Sequence, residues 1–369
     1  MKIAHVVYSM QIGGAEVLVA TLARLQRESG HEVSVHCLAS HGPLGRRLLD
    51  EGFPVFLHGS GPAWRSIGKL WRHFRRQPVD VVHCHNAGPT MVGAPAARLA
   101  GIRAVVSTRH GMTPPGRDVV RELKFWLMAR LCRRVVAVSR TTHENLSRGP
   151  AARPGMIATI YNCASAGARV SHSAPVAKPG FTLINVARHS PEKDLATLLE
   201  AVAIACKARP DLHLWLLGEG VLTRNLVEHA ASLDLGRHVT FLGERTDVGD
   251  WLSRADLFVM SSVSEGLPVS LLEAMEAGLP QLVTSVGGMA EVVGMSGGGT
   301  LVPPRDPQAL AASIVALAAN PRRLAEFGAR SRACYRQHFS PERMNAEYLE
   351  LYRECGAPDT VSAVTAILR

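Results

Sequence analysis

Four side chains in the second half of the sequence have types and spacing that could contact a ligand. In NVARHSPEKD, Arg188 and Lys193 lie five apart, directly after an apolar run, 181–187, that reads as a strand. A guanidinium grips phosphate oxygens in pairs and an ammonium adds a point charge, so the loop suits a diphosphate. A solvated surface loop has the same composition. Further on, SEGLPVSLLEAMEAGLP covers 264–280 and holds Glu265 and Glu273 with seven residues between them. Pro268 suits the first helical position and Gly278 the residue after the helix end. The amides of Gly266 and Leu267 then fall at the positive end of the helix dipole, where an anion is favoured. Glu273 falls ~7.5 Å along the axis. An acceptor-only carboxylate there could bind a vicinal diol. Glu273 and Glu276 are three apart and share a face, so spacing alone favours an ordinary charged stripe.

The first half offers weaker signals. Gly13 and Gly14 in YSMQIGGAE would let backbone N–H groups approach an anion at a helix N-terminus. The run is neither GxGxxG nor a Walker A loop, and a plain tight turn fits equally well. HCHNAG places His83, His85 and Asn86 at one predicted strand end, STRHG places Arg109 and His110 at another, and Ser139 closes a third. A single histidine in such a place is more often a structural hydrogen-bonder than a ligand. A metal site needs further ligands, and Cys84 faces the opposite way if the strand continues, so no metal is expected.

These residues must be held by an alternation of strands and helices. Thirteen short β-rich apolar runs recur along the chain, among them 3–7, 79–83, 104–108, 135–139, 257–260 and 281–284. Helical spacing marks 15–29, 195–208 and 222–235. Apolar strands between helices argue for parallel sheets buried on both faces. The stretch 165–180, SAGARVSHSAPVAKPG, lacks periodicity and reads as a linker. The chain of 369 residues is thus expected to form an α/β architecture of two Rossmann-like, doubly wound domains, whose ligands sit beyond the carboxyl ends of the strands and in the cleft between domains.

Charge is uneven. Residues 1–170 hold 23 Lys and Arg against 9 Asp and Glu, while the rest hold 18 against 22. The basic half implies an anionic partner; nucleic acid, an anionic membrane surface and a phosphate-bearing substrate all fit charge alone. In AWRSIGKLWRHFRRQ, 63–77, the residues Trp64, Ile67, Leu70, Trp71 and Phe74 share one face, with cations over most of the remainder. Such a helix could lie on anionic lipid or pack its stripe on a sheet. No apolar run is long enough to span a bilayer, and the first ten residues read as a buried strand rather than a signal peptide. Seven scattered cysteines without a CxxC pair suit a reduced, cytoplasmic compartment.

Taken in order, the Gly-Gly-Ala-Glu turn, the Arg188…Lys193 loop, GEG at 218–220, FLG at 241–243, ADLFVMSS at 255–262, the Glu-x7-Glu pair and AEVV at 290–293 after SVGG resemble glycosyltransferase family 4. The resemblance covers nearly the whole chain. It implies the GT-B architecture, two such domains facing across a cleft: an acceptor domain at 1–164, with a final helix at about 345–369 packing back onto it, and a donor domain at 181–344. It implies a retaining enzyme that moves a sugar from a nucleotide sugar, a UDP-sugar by expectation, to a glycan or lipid-linked acceptor in cell-envelope or exopolysaccharide synthesis. No metal or other cofactor and no nucleic-acid partner are implied; peripheral contact with an anionic membrane is an expectation from the basic first half and the 63–77 stripe.

Residue by residue, the resemblance gives Arg188 and Lys193 the diphosphate and Glu265 the sugar hydroxyls, with Gly266, Leu267 and Pro268 beside it. Glu273 takes the ribose. Gly218, Gly243, Glu244 and Arg245 lie on the donor, the last three near the base. Gly13 and Gly14 line the cleft, and His110 sits beside the transferred sugar. His85, Asn86, Arg109 and Ser139 are expected on the acceptor side, Arg109 favouring an anionic acceptor. The family's Asn-Gly-Val-Asp is here Asn162-Cys-Ala-Ser, a departure at the hinge. A nonhydrolysing sugar-nucleotide epimerase and a non-catalytic binding subunit are the alternatives; the Glu-x7-Glu pair opposes the first and the complete cationic loop the second.

Overall fold

A computed structural model describes residues 1–59, 61–112, 119–149, 153, 155–164, 178 and 180–358. The chain divides into two compact units, one of residues 1–161 with the segment from 341 onward, the other of residues 162–340. Most of the expected linker, 165–180, lies outside the described residues.

The first unit runs β1 (Lys2–Ser9), α1 (Gly14–Glu28), β2 (Glu32–Ser40), α2 (Gly42–Asp50), β3 (Val55–Leu57), α3 (Ala63–Arg76), β4 (Val81–His85), α4 (Ala87–Leu99), β5 (Ala104–Arg109), α5 (Val119–Ala129), β6 (Arg134–Ala137), α6 (Arg140–Ser147) and β7 (Ile157–Thr159). The second runs β8 (Phe181–Val186), α7 (Leu195–Ala208), β9 (Leu212–Leu217), α8 (Thr223–Ser232), β10 (Val239–Gly243), α9 (Val248–Leu252), β11 (Leu257–Met260), α10 (Val269–Ala277), β12 (Gln281–Thr284), α11 (Gly287–Ser296), β13 (Gly299–Val302), α12 (Pro307–Ala318) and α13 (Pro321–His338). Then α14 (Pro341–Glu354) returns to the first unit.

The sheets are ordered β3-β2-β1-β4-β5-β6-β7 and β10-β9-β8-β11-β12-β13, with every described pairing parallel. Each is doubly wound: the order reverses beside β1 in one unit and beside β8 in the other. That reversal opens a crevice beyond the strands' carboxyl ends, β1 and β4 in the first sheet, β8 and β11 in the second. The central strands are apolar because both faces are covered; Leu257, Phe258 and Val259 have no exposed surface.

Some boundaries differ from the sequence reading. β4 starts at Val81 and reaches His85, because Asp80 caps the strand end through Lys2 N–H and its own N–H bonds the Lys2 carbonyl. The last helix begins at Pro341, four residues early, and stops at Glu354, ahead of Gly356 in a left-handed conformation at φ 93°. In α10, Pro268 is the cap rather than the first helical residue, since its ψ of 131° is extended. The α3 stripe splits. Leu70 and Phe74 are buried in the core, whereas Trp64 and Trp71 face outward, 67% and 39% exposed. α4 packs against both α3 and α5, so the three helices form one layer.

Candidate active site

The second unit assembles its polar groups at the β8/β11 crevice. After β8 the chain makes a single 3-10 turn, Pro191–Lys193, and Asp194 adopts a left-handed conformation at φ 46° before α7 begins. The loop after β11 is tied to it. The Val263 amide donates to the Glu192 carbonyl, and the Ser261 hydroxyl donates to the carbonyls of Lys193 and Asp194. In that frame the Lys193 ammonium lies 2.5 Å from Glu265 Oε1, with only 17% and 10% of the two side chains exposed. The Ser262 hydroxyl donates to the same oxygen at 2.7 Å. The cation and its carboxylate are therefore held in place before any ligand arrives. Arg188 is exposed on the same loop.

The GEG turn after β9 packs against this loop. The His189 amide donates to the Glu219 carbonyl, and a Cβ on Gly218, which has φ 117°, would run into the Ala187 carbonyl. Only glycine fits there. The Gly218 amide donates to Gly243 at the end of β10. Glu244 and Arg245 follow, both exposed; Arg245 forms a paired bond to Asp247 at 2.8 and 2.6 Å and lies over the Trp251 ring. That pairing holds the Asp247 carboxyl below the usual range. Gly266 and Leu267 precede α10 as expected. The Gly288 amide donates to the Gly266 carbonyl, and buried Asn162 donates to the Leu267 carbonyl at 2.8 Å. Glu273 and Glu276 are both half-buried on α10, and the end of that helix is engaged by α13, whose Arg332 bonds the Glu276 carbonyl.

In the first unit Gly13 caps α1 and Gly14 opens it; Gly13 is extended, at φ −173°, so its backbone does not require glycine. His110 follows β5 directly. Its amide donates to Asn86 Oδ1 at 3.0 Å, and Asn86 itself holds φ 70°. His85 is buried and bonds His110 at 3.1 Å and His5 at 3.0 Å. Burial pushes the His110 and His5 rings down to about 4, against a Gln26 bond that raises His5. All these rings are neutral at pH 7.

Two residues expected on the acceptor side have structural partners here. Arg109 is 6% exposed, with its guanidinium 2.9 Å from Glu122 on α5 and above the Phe125 ring, so it fastens α5 to β5. Ser139 is fully buried and caps α6 by accepting the Thr142 amide at 3.0 Å. His85 supports His110 from behind. Sequence reading missed Ser261, Ser262 and the Asn162 contact. Two hydroxyls following an apolar strand were the available signal.

His5, His83 and His85 bring ring nitrogens within 4.8 Å of one another. Each of their six nitrogens already has a partner: His5 with His85 and Gln26, His83 with Tyr352 and Thr108, and His85 with His5 and His110. The trio fits a hydrogen-bonded core better than a metal. A groove of about 400 Å3, lined in part by Arg134, Arg140, Arg343, Glu347 and Glu354, lies at the β7 edge of the first unit, and its charges pair as Arg343–Glu347 and Arg134–Glu354.

Two doubly wound units, one with a cation held by a glutamate at its switch point, are the architecture of the GT-B glycosyltransferases. The family models agree: Glycosyltransferase Family 4 matches residues 12–165 and Glycosyl transferases group 1 matches residues 171–333. The chain belongs to glycosyltransferase family 4 and is a glycosyltransferase. It is 26% identical over 315 residues to the Escherichia coli UDP-Gal:alpha-D-GlcNAc-diphosphoundecaprenol alpha-1,3-galactosyltransferase, covering 78% of this chain and 80% of that one. It is 25% identical to the N-acetyl-alpha-D-glucosaminyl L-malate synthase of Bacillus anthracis, covering 92% and 94%. The crystal structure of Anabaena HepE with UDP-glucose has the same fold, with a TM-score of 0.85 at 23% identity, covering 96% of this chain and all of that one.

Proposed function

We propose that the protein transfers a sugar, with retention, from a UDP-sugar to a glycan or lipid-linked acceptor used to build a cell envelope or exopolysaccharide. The observation that carries this reading is Lys193, fixed by Glu265 at the β8/β11 switch point. The names of the E. coli relative and of the UDP-glucose complex agree with it.

In this reading Arg188 and Lys193 take the charge that develops on the departing diphosphate, and fixed cations there lower the barrier without a metal. The bond between the anomeric carbon and the diphosphate oxygen breaks, the acceptor oxygen bonds the same face, and its proton passes to the departing phosphate. Glu265 and the Gly266–Leu267 turn hold the sugar, Glu273 the ribose diol, and His110 a sugar hydroxyl. The test is a thermal-shift screen of UDP-, GDP- and ADP-sugars followed by product analysis. UDP and its sugars raise the midpoint, because ligand bound only to the native state stabilises it, by about 2.7 kcal/mol at a hundred times Kd. A midpoint raised by another nucleotide alone would overturn the choice of donor.

We infer further that the α3–α4–α5 layer lies on an anionic membrane at the cytoplasmic face. Trp64 and Trp71 on α3 and Val120, Leu123 and Leu127 on α5 are exposed, beside Arg65, Lys69, Arg72, Lys124 and Arg130. No helix among the described residues is long and apolar enough to cross a membrane. Exposed aromatics amid cations suit the headgroup boundary. The protein is expected to float with vesicles of anionic lipid at low salt and to release at high salt. Trp64→Ala with Trp71→Ala lowers the bound fraction about tenfold or more, given about 1.5–3 kcal/mol for each large apolar side chain buried. Flotation unaffected by the pair, or absent at low salt, rules the layer out.

A further inference from the structure

The first unit contains a line of buried polar groups that ends on His110. The register of its sheet creates the line: His5 on β1 pairs with His83 on β4, and His85 pairs with Thr108 on β5. His5, His83 and His85 therefore share one face of the sheet. Gln26, fully buried on α1, reaches that face, as do Tyr348 and Tyr352 from α14.

Donor and acceptor rules give the line a direction. Gln26 Nε2 donates to the Tyr352 hydroxyl at 3.3 Å, which leaves Gln26 Oε1, an acceptor, 2.9 Å from His5 Nε2. His5 therefore carries its proton on Nε2, and its bare Nδ1 accepts from His85 Nε2–H at 3.0 Å. His85 Nδ1 is then bare and accepts from His110 Nε2–H at 3.1 Å. His110 is left with an unprotonated Nδ1, shielded from solvent and without a partner among the described residues. A neutral imidazole has only this choice of two tautomers, and the partner on one nitrogen settles the other.

We propose that Gln26, His5 and His85 are positioning residues that fix His110 as the Nε2–H tautomer, so that its Nδ1 is a dedicated acceptor for a hydroxyl of the bound substrate. The line does not conduct protons, because it ends on an amide that cannot take one. Its work is orientation: a bare nitrogen accepts the hydroxyl proton, whereas the inverted line would present an N–H that the hydroxyl can meet only with its oxygen, reversing the bond. Tyr352 completes the arrangement: its hydroxyl accepts from Gln26 Nε2 and lies 2.7 Å from His83 Nδ1. Only the last step, the substrate hydroxyl, rests on the glycosyl-transfer reading.

The experiment uses the full chain with 15N-labelled histidine and long-range proton–nitrogen correlation of the imidazole rings. His5, His85 and His110 are each expected as Nε2–H. In Gln26→Leu and in Tyr352→Phe, two variants so that one can fail to fold, His110 is expected to lose its single tautomer. With that loss kcat falls about tenfold and the donor KM stays within about twofold, the effect of one misdirected hydrogen bond. His110 found as Nδ1–H in the wild type, or unchanged in both variants, overturns the proposal whatever the turnover. The expected tautomers in a protein that turns over no nucleotide sugar would uphold the line and overturn the glycosyl-transfer reading instead.

Discussion

Lys193→Ala is expected to lower kcat for sugar transfer about 100- to 1,000-fold while the protein stays folded. The size follows from electrostatic preorganisation: a cation already aimed at the charge that develops in the transition state costs no reorganisation when the bond breaks. Lys193 meets that condition. Its loop is pinned by Val263 N–H and the Ser261 hydroxyl, and its ammonium is held by Glu265 with little solvent to screen it. Folding should survive because the loop bonds use backbone atoms and Glu265 keeps the Ser262 hydroxyl. Initial rates with the donor found in the thermal screen, beside melting curves, give the measurement. A rate within about threefold of wild type would remove Lys193 from the leaving-group site, since a lost charge-assisted bond alone is worth more than that.

The fold was legible in the sequence because its strands are covered on both faces. Such strands read as short apolar runs, and β11, β12 and α7 fall where composition put them. The order of the loops around the site was legible too, since strand, loop and helix alternate without long insertions. What escaped was decided by neighbours distant in sequence. The partners of Arg109 were not legible, because nothing local reveals Glu122 and Phe125 packed over it. Trp64 and Leu70 looked alike on the α3 wheel, yet only the sheet decides which turns inward. The histidine line depends on the register of β1, β4 and β5, which no window along the chain contains. The Lys193–Glu265 pair, 72 residues apart, is an intermediate case. Both residues follow strands, and once β8 and β11 are neighbours in the sheet, their loops must meet.

Glu265 is where the two halves of the mechanism can be separated. Glu265→Ala strands the Lys193 ammonium in a site that leaves only 17% of it exposed. The expected cost is about 1–3 kcal/mol of stability, read as a midpoint lowered by a few degrees. Activity should fall about 100-fold. Glu265→Gln keeps an acceptor for both donors and removes only the charge, so a smaller loss of about tenfold is expected. The decisive comparison is the double variant with Lys193→Ala. Both described bonds, from Lys193 and from Ser262, land on Oε1. A second carboxylate oxygen is thereby available to the sugar hydroxyls that the family resemblance assigns to Glu265. The double variant should then be slower than Lys193→Ala alone by about a further tenfold, the share of the bond to sugar. Equal rates would mean that Glu265 acts only through Lys193, as a positioning carboxylate that never touches the donor. Residues that work as one unit show this lack of additivity, whereas two residues gripping different parts of the donor do not.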